Sequence, residues 1–157
     1  MSNPRGLILD AGILQGLNRE KAPNTPLADW LGAEQRKGLR LLTIKEVIAE
    51  CIDVPVTLLT KLNVSVEQSK TPPDPQGLLH AFSQGSRSVS FHEDLPRADR
   101  AVVAHAIAGQ YDIVTTDQRM KQRSFKEFLK RLERTSDQKL PPWRIPQIHV
   151  AQRGLWH

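Results

Sequence analysis

The sequence predicts a three-layer α/β domain, a mostly parallel central sheet flanked by helices, and three observations carry that expectation. Short apolar runs alternate with helix-spaced segments from one end of the chain to the other. The 157 residues suit one ordinary globular domain and are too few for two well-buried ones. Hydrophobic residues make up 39% and charged residues 25%, enough to bury a core, with no long polar low-complexity tract.

Taken in order, residues 6–9 (GLIL) form an apolar run that reads as a buried strand, closed by a turn at Asp10-Ala11-Gly12. Residues 24–36 read as a helix, with Thr25 as its cap, Pro26 in its first turn, and Leu27, Trp30 and Leu31 on one face. Residues 41–44 (LLTI) give a second strand, leading into a helical run over 45–52 that Pro55 limits. Residues 62–66 (LNVSV) alternate as a half-buried strand does.

Pro72, Pro73 and Pro75 then break the pattern, before a helix over 75–84 and a mobile loop over 85–94. A helix over 96–109 follows, with Gly109 placed for its C-terminal cap. Residues 111–116 form another strand, ending at Asp117. The last elements are a basic amphipathic helix over 121–134, carrying Phe125, Phe128, Leu129 and Leu132 on one side, and one edge strand near 148–150. The expected organisation is a main unit over residues 1–120 and a basic, proline-containing extension over 121–157, packed on the same domain or continuing it.

Composition excludes several classes of function. No stretch approaches the roughly 18 apolar residues a membrane span requires, and the opening MSNPRGLIL lacks a signal-peptide pattern. A single cysteine, Cys51, builds neither a disulfide framework nor a four-cysteine zinc site, which points to an intracellular protein. The histidines at 80, 92, 105, 149 and 157 lack the spacing of a zinc-hydrolase motif. The formal net charge of +5 is concentrated: residues 118–157 hold ten Lys and Arg against three Asp and Glu, and the remainder holds twelve against fourteen. That asymmetry fits a polyanion partner or, with equal weight from charge alone, a solvated basic helix.

Four acids occupy places that surface decoration explains poorly. Asp10 and Asp117 each stand directly after an apolar strand, where open parallel sheets bind their ligands; taken singly, each is better explained as a turn or helix cap. Asp99 lies in the first turn of its helix, over Val102, Val103 and Ala106 on the inward stripe. A favourable position at the positive helix end explains the turn but not the face. Glu50 sits amid Val47, Ile48, Cys51 and Ile52, where a buried carboxylate requires a partner or a metal; Glu46, one turn earlier, competes for the role.

Together the four suggest a cluster for a hard divalent cation, Mg²⁺ or Mn²⁺, and with a basic flank the natural chemistry is metal-assisted phosphodiester hydrolysis without a protein nucleophile. Thr116, beside Asp117, is positioned to orient carboxylates or water; Thr115 reads better as an ordinary strand residue. Arg119, Lys121, Arg123, Lys126, Lys130 and Arg131 are the candidates for holding a nucleic-acid backbone. With eight aromatic residues and no aromatic-rich strand pair, a base-stacking platform is not expected.

In order and spacing, Asp10, Glu50, Asp99 and Asp117 resemble the acidic quartet of the PIN-domain nucleases. ADRAVVAHAIAGQYDIVTTDQRM (98–120) looks like that superfamily's third-acid helix, strand and terminal Asp. Within the superfamily the likeness is greatest to the NOB-type nuclease that trims the 3′ end of small-subunit ribosomal RNA. ILDAGIL (8–14) resembles its opening strand and turn, TIKEVIAECID (43–53) its Thr-x-x-Glu-Val-Val-x-Glu run, and LNVSVEQSKTPPDP (62–75) the strand and link that follow. The resemblance covers about residues 6–120 and selects Glu50 over Glu46 as the metal ligand.

It implies a metal-dependent single-strand endoribonuclease with Asp10, Glu50, Asp99 and Asp117 as catalytic metal ligands. Its partners would be precursor ribosomal RNA and ribosome-assembly proteins, in the nucleus and cytoplasm or, for an organellar paralogue, the mitochondrion. The zinc ribbon of NOB proteins is excluded by the single cysteine, and residues 121–157 match no part of that pattern. Two alternatives remain at this stage, a non-catalytic PIN-fold assembly or RNA-binding factor and a toxin-type PIN ribonuclease.

Overall fold

The computed structural model describes residues 3–19, 26–72, 77–83, 97–121, 123–136, 144–152 and 155–156. Its strands are β1 (Gly6–Leu9), β2 (Arg40–Ile44), β3 (Val64–Glu67), β4 (Asp112–Thr115), β5 (Ile148–Gln152) and β6 (Leu155–Trp156). Its α-helices are α1 (Ala11–Arg19), α2 (Pro26–Arg36), α3 (Lys45–Glu50), α4 (Val56–Lys61), α5 (Leu78–Ser83), α6 (Arg97–Gly109) and α7 (Arg123–Ser136). The strand order is β3-β2-β1-β4-β5-β6. The first five strands are parallel, and β6 pairs antiparallel with β5. The α/β architecture with a central parallel sheet flanked by helices is therefore the one the sequence predicts.

The connections decide where a site can form. From β1 the chain steps outward to β2 and β3, then crosses back to place β4 on the other side of β1. The strand order therefore reverses between β1 and β4, the place where open parallel sheets bind their ligands. All four residues of β1 and of β4 are buried, as strands covered on both faces must be. Edge strand β3 keeps only Val64 fully buried, which is why its sequence alternates.

Two helices are absent from the sequence expectation. What reads as a turn at Asp10-Ala11-Gly12 is the start of α1: the Asp10 carbonyl accepts from the N–H groups of Ile13 and Leu14, both at 3.1 Å. A Cβ on Gly12 would lie 2.0 Å from Thr116 Oγ1, so glycine is what lets this helix start pack against the end of β4. The other is α4, whose N-terminal boundary is Pro55, so the proline that limits the preceding helix also starts the next.

Gly109 is not the left-handed cap. Gln110 takes that conformation, with φ 64°, while Gly109 admits the Tyr111 ring, which a Cβ would meet at 2.1 Å. The Thr25 cap and the loop over 85–94 lie outside the described residues.

Residues beyond 121 extend the same core. Phe125, Phe128 and Leu132 of α7 are buried, and Phe128 packs on Phe82 of α5 at 4.8 Å between ring centroids. Strand β5 lies beside β4 and is itself flanked by β6. At the far side, the Lys70 amide donates to His105 Nδ1 (3.1 Å), so Nε2 carries the hydrogen and donates to Glu67 Oε1 at 3.0 Å. Arg40 completes this link between α6 and the edge strand, 2.7 Å from Glu67 Oε2. Among the described residues, no helix is long and apolar enough to cross a membrane.

Candidate functional site

Adjacent parallel strands whose ends carry acids bring those acids to one crevice. Leu9 is in register with Val114, and the Asp10 amide donates to the Val114 carbonyl at 3.0 Å, so Asp10 and Thr115 emerge side by side. Thr115 Oγ1 donates to Asp10 Oδ2 at 2.6 Å and accepts from the Asp117 amide at 3.0 Å. One buried hydroxyl thus ties both strand-end acids together, and the reading of Thr115 as an ordinary strand residue is overturned. Thr116, expected in the supporting role, is exposed and stands against Gly12. The Ala11 amide fixes the other Asp10 oxygen at 2.7 Å, and Thr43 donates to the Leu9 carbonyl at 2.9 Å, pinning β2 to β1 just below the site.

Asp99 enters from α6. It is 4% exposed, above the fully buried Val102, Val103 and Ala106, as its helical spacing predicts. Its electrostatic neighbours are Asp10 and Asp117. Burial, then the charges and carboxyls of Asp10 and Asp117, with a smaller contribution from Glu50, push its pKa up to about 8. Burial also raises Asp10, aided by the Asp117 charge and opposed by the hydrogen bonds from Thr115 and Ala11. An array of this kind stays uncharged in part unless a cation compensates it.

Glu50 departs from expectation in burial. It ends α3 exposed rather than enclosed, beside an Ile52 that is itself 74% exposed. It still belongs to the cluster's field: partial burial and the Asp10 charge both raise its pKa. Glu46 is bound elsewhere, accepting from Ser69 Oγ. Of the two competing glutamates, the one facing Asp10 is therefore Glu50.

Asp117 behaves in the opposite way. Burial raises it, but Arg119 outweighs burial and holds it below the ordinary carboxylate range. The Arg119 amide and Nε each donate to Asp117 Oδ1 at 2.9 Å, and Nη2 reaches Oδ2 at 2.7 Å. The same Nη2 stands 3.8 Å from Asp99 Oδ2. Arg119, expected among the RNA contacts, is thus drawn into the acidic cluster. Two residues along, this pairing carries no periodicity that sequence reading could detect.

The remaining basic candidates lie on or next to α7. Arg123 is exposed and paired with Glu127 at 3.0 Å, and Lys126, Lys130 and Arg131 are exposed. The side chain of Lys121 lies outside what the structure describes.

Among the described residues, no three His, Cys, Asp or Glu side chains already converge as a finished metal-ligand set. The donor type suits a hard divalent cation, since all four candidates offer oxygen: Asp10 and Asp99 are buried, Glu50 is exposed at the end of α3, and Asp117 is held by Arg119. A separate cavity of about 580 Å³ opens at the other end of the sheet, lined by Arg5, Trp30, Glu34, Lys37, Asp112 and His149 among others. Its buried carboxylate is already satisfied: Asp112 accepts from Arg144 at 2.6 Å and from the Gln147 amide at 2.9 Å. No protein-family model, curated protein or solved structure matches the chain.

Proposed function

We propose that the chain is a Mg²⁺- or Mn²⁺-dependent single-strand endoribonuclease of PIN type that acts in ribosomal RNA maturation. The observation that carries the reading is that Thr115 links Asp10 to the Asp117 amide and Arg119 links Asp117 to Asp99, at the end of the sheet where the strand order reverses, with Asp99 pushed up to about 8. A buried carboxyl this costly to ionise, next to two others, is characteristic of a functional site. When bound, a divalent ion supplies the Lewis-acid and water-activating chemistry of phosphodiester hydrolysis.

The chain's own residues do the rest. Asp10 and Asp99 present oxygens from β1 and α6, Glu50 closes the rim, and Thr115 fixes Asp10 relative to Asp117. The exposed residues of α7, Arg123, Lys126, Lys130 and Arg131, offer non-specific attraction for a phosphate backbone. The ribosomal target rests on the resemblance of residues 8–14, 43–53 and 62–75 to NOB-type nucleases.

A second reading, a non-catalytic RNA- or protein-binding assembly factor, is favoured by one observation: Arg119 already neutralises Asp117. Cleavage of a labelled single-stranded RNA with Mn²⁺ separates the two, comparing the parent with folded Asp10→Asn and Asp99→Asn. The nuclease reading expects loss in both variants. Equal residual cleavage in all three proteins removes it.

A further inference from the structure

We infer that Arg119 is a resident counter-cation of the acidic cluster, a positioning residue that competes with a divalent ion for Asp117 and sets how tightly that ion binds. The inference rests on the metal-centre reading above and deepens it.

Both Asp117 oxygens accept from Arg119: Nε lies 2.9 Å from Oδ1 and 3.1 Å from Oδ2, and Nη2 lies 2.7 Å from Oδ2. The backbone amide of Arg119 is a third donor and makes a fourth contact, also 2.9 Å from Oδ1. A carboxylate enclosed by a planar fork in this way presents less of its lone-pair capacity to a metal. Nη2 also stands 3.8 Å from Asp99 Oδ2, so the guanidinium charge reaches two of the four acids. The side chain is 42% exposed, so the pair is in contact with solvent.

Two roles follow. Without a divalent ion, Arg119 offsets the mutual repulsion of the carboxylates. With one, its positive charge opposes the incoming cation across a few ångströms, and Asp117 becomes a full ligand only as the fork lets go. Asp10 and Asp99, which lack such a fork, form the primary binding pair.

The test is Mn²⁺ binding by titration calorimetry on the intact chain, with thermal unfolding in chelator and in Mn²⁺ as the second readout. The variants are Arg119→Gln, which removes the charge, and Arg119→Lys, which keeps it. Arg119→Gln is expected to bind Mn²⁺ about tenfold more tightly, since one charge at this range readily alters affinity that far. It is also expected to melt lower than the parent in chelator and to gain more from Mn²⁺. Arg119→Lys is expected to bind close to the parent.

Equal or weaker Mn²⁺ binding by Arg119→Gln, with parental binding intact and sensitive to Asp10→Asn, overturns the inference and leaves the metal centre standing. Parental binding that is absent, or unchanged by Asp10→Asn, overturns both.

Discussion

The two ends of the sheet hold buried aspartates in opposite electrostatic states. At the amino end, Asp112 is 3% exposed, and burial alone would raise its pKa. Hydrogen bonds from His149, Arg144 and the Gln147 amide outweigh burial, and the carboxyl lies below its ordinary value. At the carboxyl end, Asp10 and Asp99 are 5% and 4% exposed, and both are raised. Burial is the same; compensation is not. A carboxylate given enough partners to offset burial is held ionised, whereas Asp10 and Asp99, less fully compensated, are biased toward the protonated form.

The sharpest way to break this contrast is catalysis. Asp10→Asn and Asp99→Asn are expected to lower Mn²⁺-dependent cleavage of single-stranded RNA by at least about 100-fold, the scale on which catalytic groups act. Asp112→Asn is expected to leave the rate per folded molecule unchanged. Gel-resolved initial rates, normalised to the folded fraction, decide it, and comparable rate losses at both ends would abolish the distinction.

Stability reverses the comparison. Asp112→Asn removes the charge of a buried carboxylate bonded to the part-buried Arg144 and is expected to cost about 2–4 kcal/mol, measured by urea unfolding. The effect of Asp99→Asn depends on pH, and its sign is fixed. The folded-state pKa of about 8 lies above the ordinary 3.8, so between those values the folded protein keeps a proton that the unfolded chain has released. Its contribution to stability is complete below pH 3.8 and declines as pH rises to about 8.

The raised Asp10 and Glu50 act in the same direction; the lowered Asp112 and Asp117 act below that window. In chelator, Asp99→Asn is therefore expected to melt about 3–6 °C above the parent at pH 8.5 and to show a smaller difference at pH 5, a shift typical of one to two kcal/mol in a domain of this size. A variant that melts lower than the parent at pH 8.5 contradicts this account. The smallest effect is expected outside both ends: the double change of Lys126 and Lys130 to Ala on α7 should weaken RNA binding a few-fold and flatten its salt dependence. Fluorescence anisotropy at several salt concentrations measures both.

Much of the architecture was legible because buried parallel strands are continuous apolar runs, and GLIL, LLTI and DIVT are such runs. The helix starting at Ala11 was hidden because Asp10-Ala11-Gly12 is composed like a turn, and only the close approach of Thr116 explains its glycine. α4 was hidden because it is six residues long and its opening Val56 is 76% exposed, which erases periodicity. Asp99 was legible because helical spacing placed it on an apolar stripe. The enclosure of Glu50 was misjudged because apolar neighbours in sequence, such as Ile52, stand in solvent. Thr115 and Arg119 act through contacts that local composition does not encode, one across strands and one within a short turn.

The hydrogen bond from Thr115 to Asp10 spans 105 positions of the chain. Residues 1–104 hold Asp10, Glu50 and Asp99 but neither Thr115 nor Asp117, so the two strand ends meet only once both segments are present. Pairing so remote in sequence is slow to form. The orientation of the Asp10 carboxyl therefore depends on a contact between the first and fourth strands and on nothing local to Asp10 but the Ala11 amide.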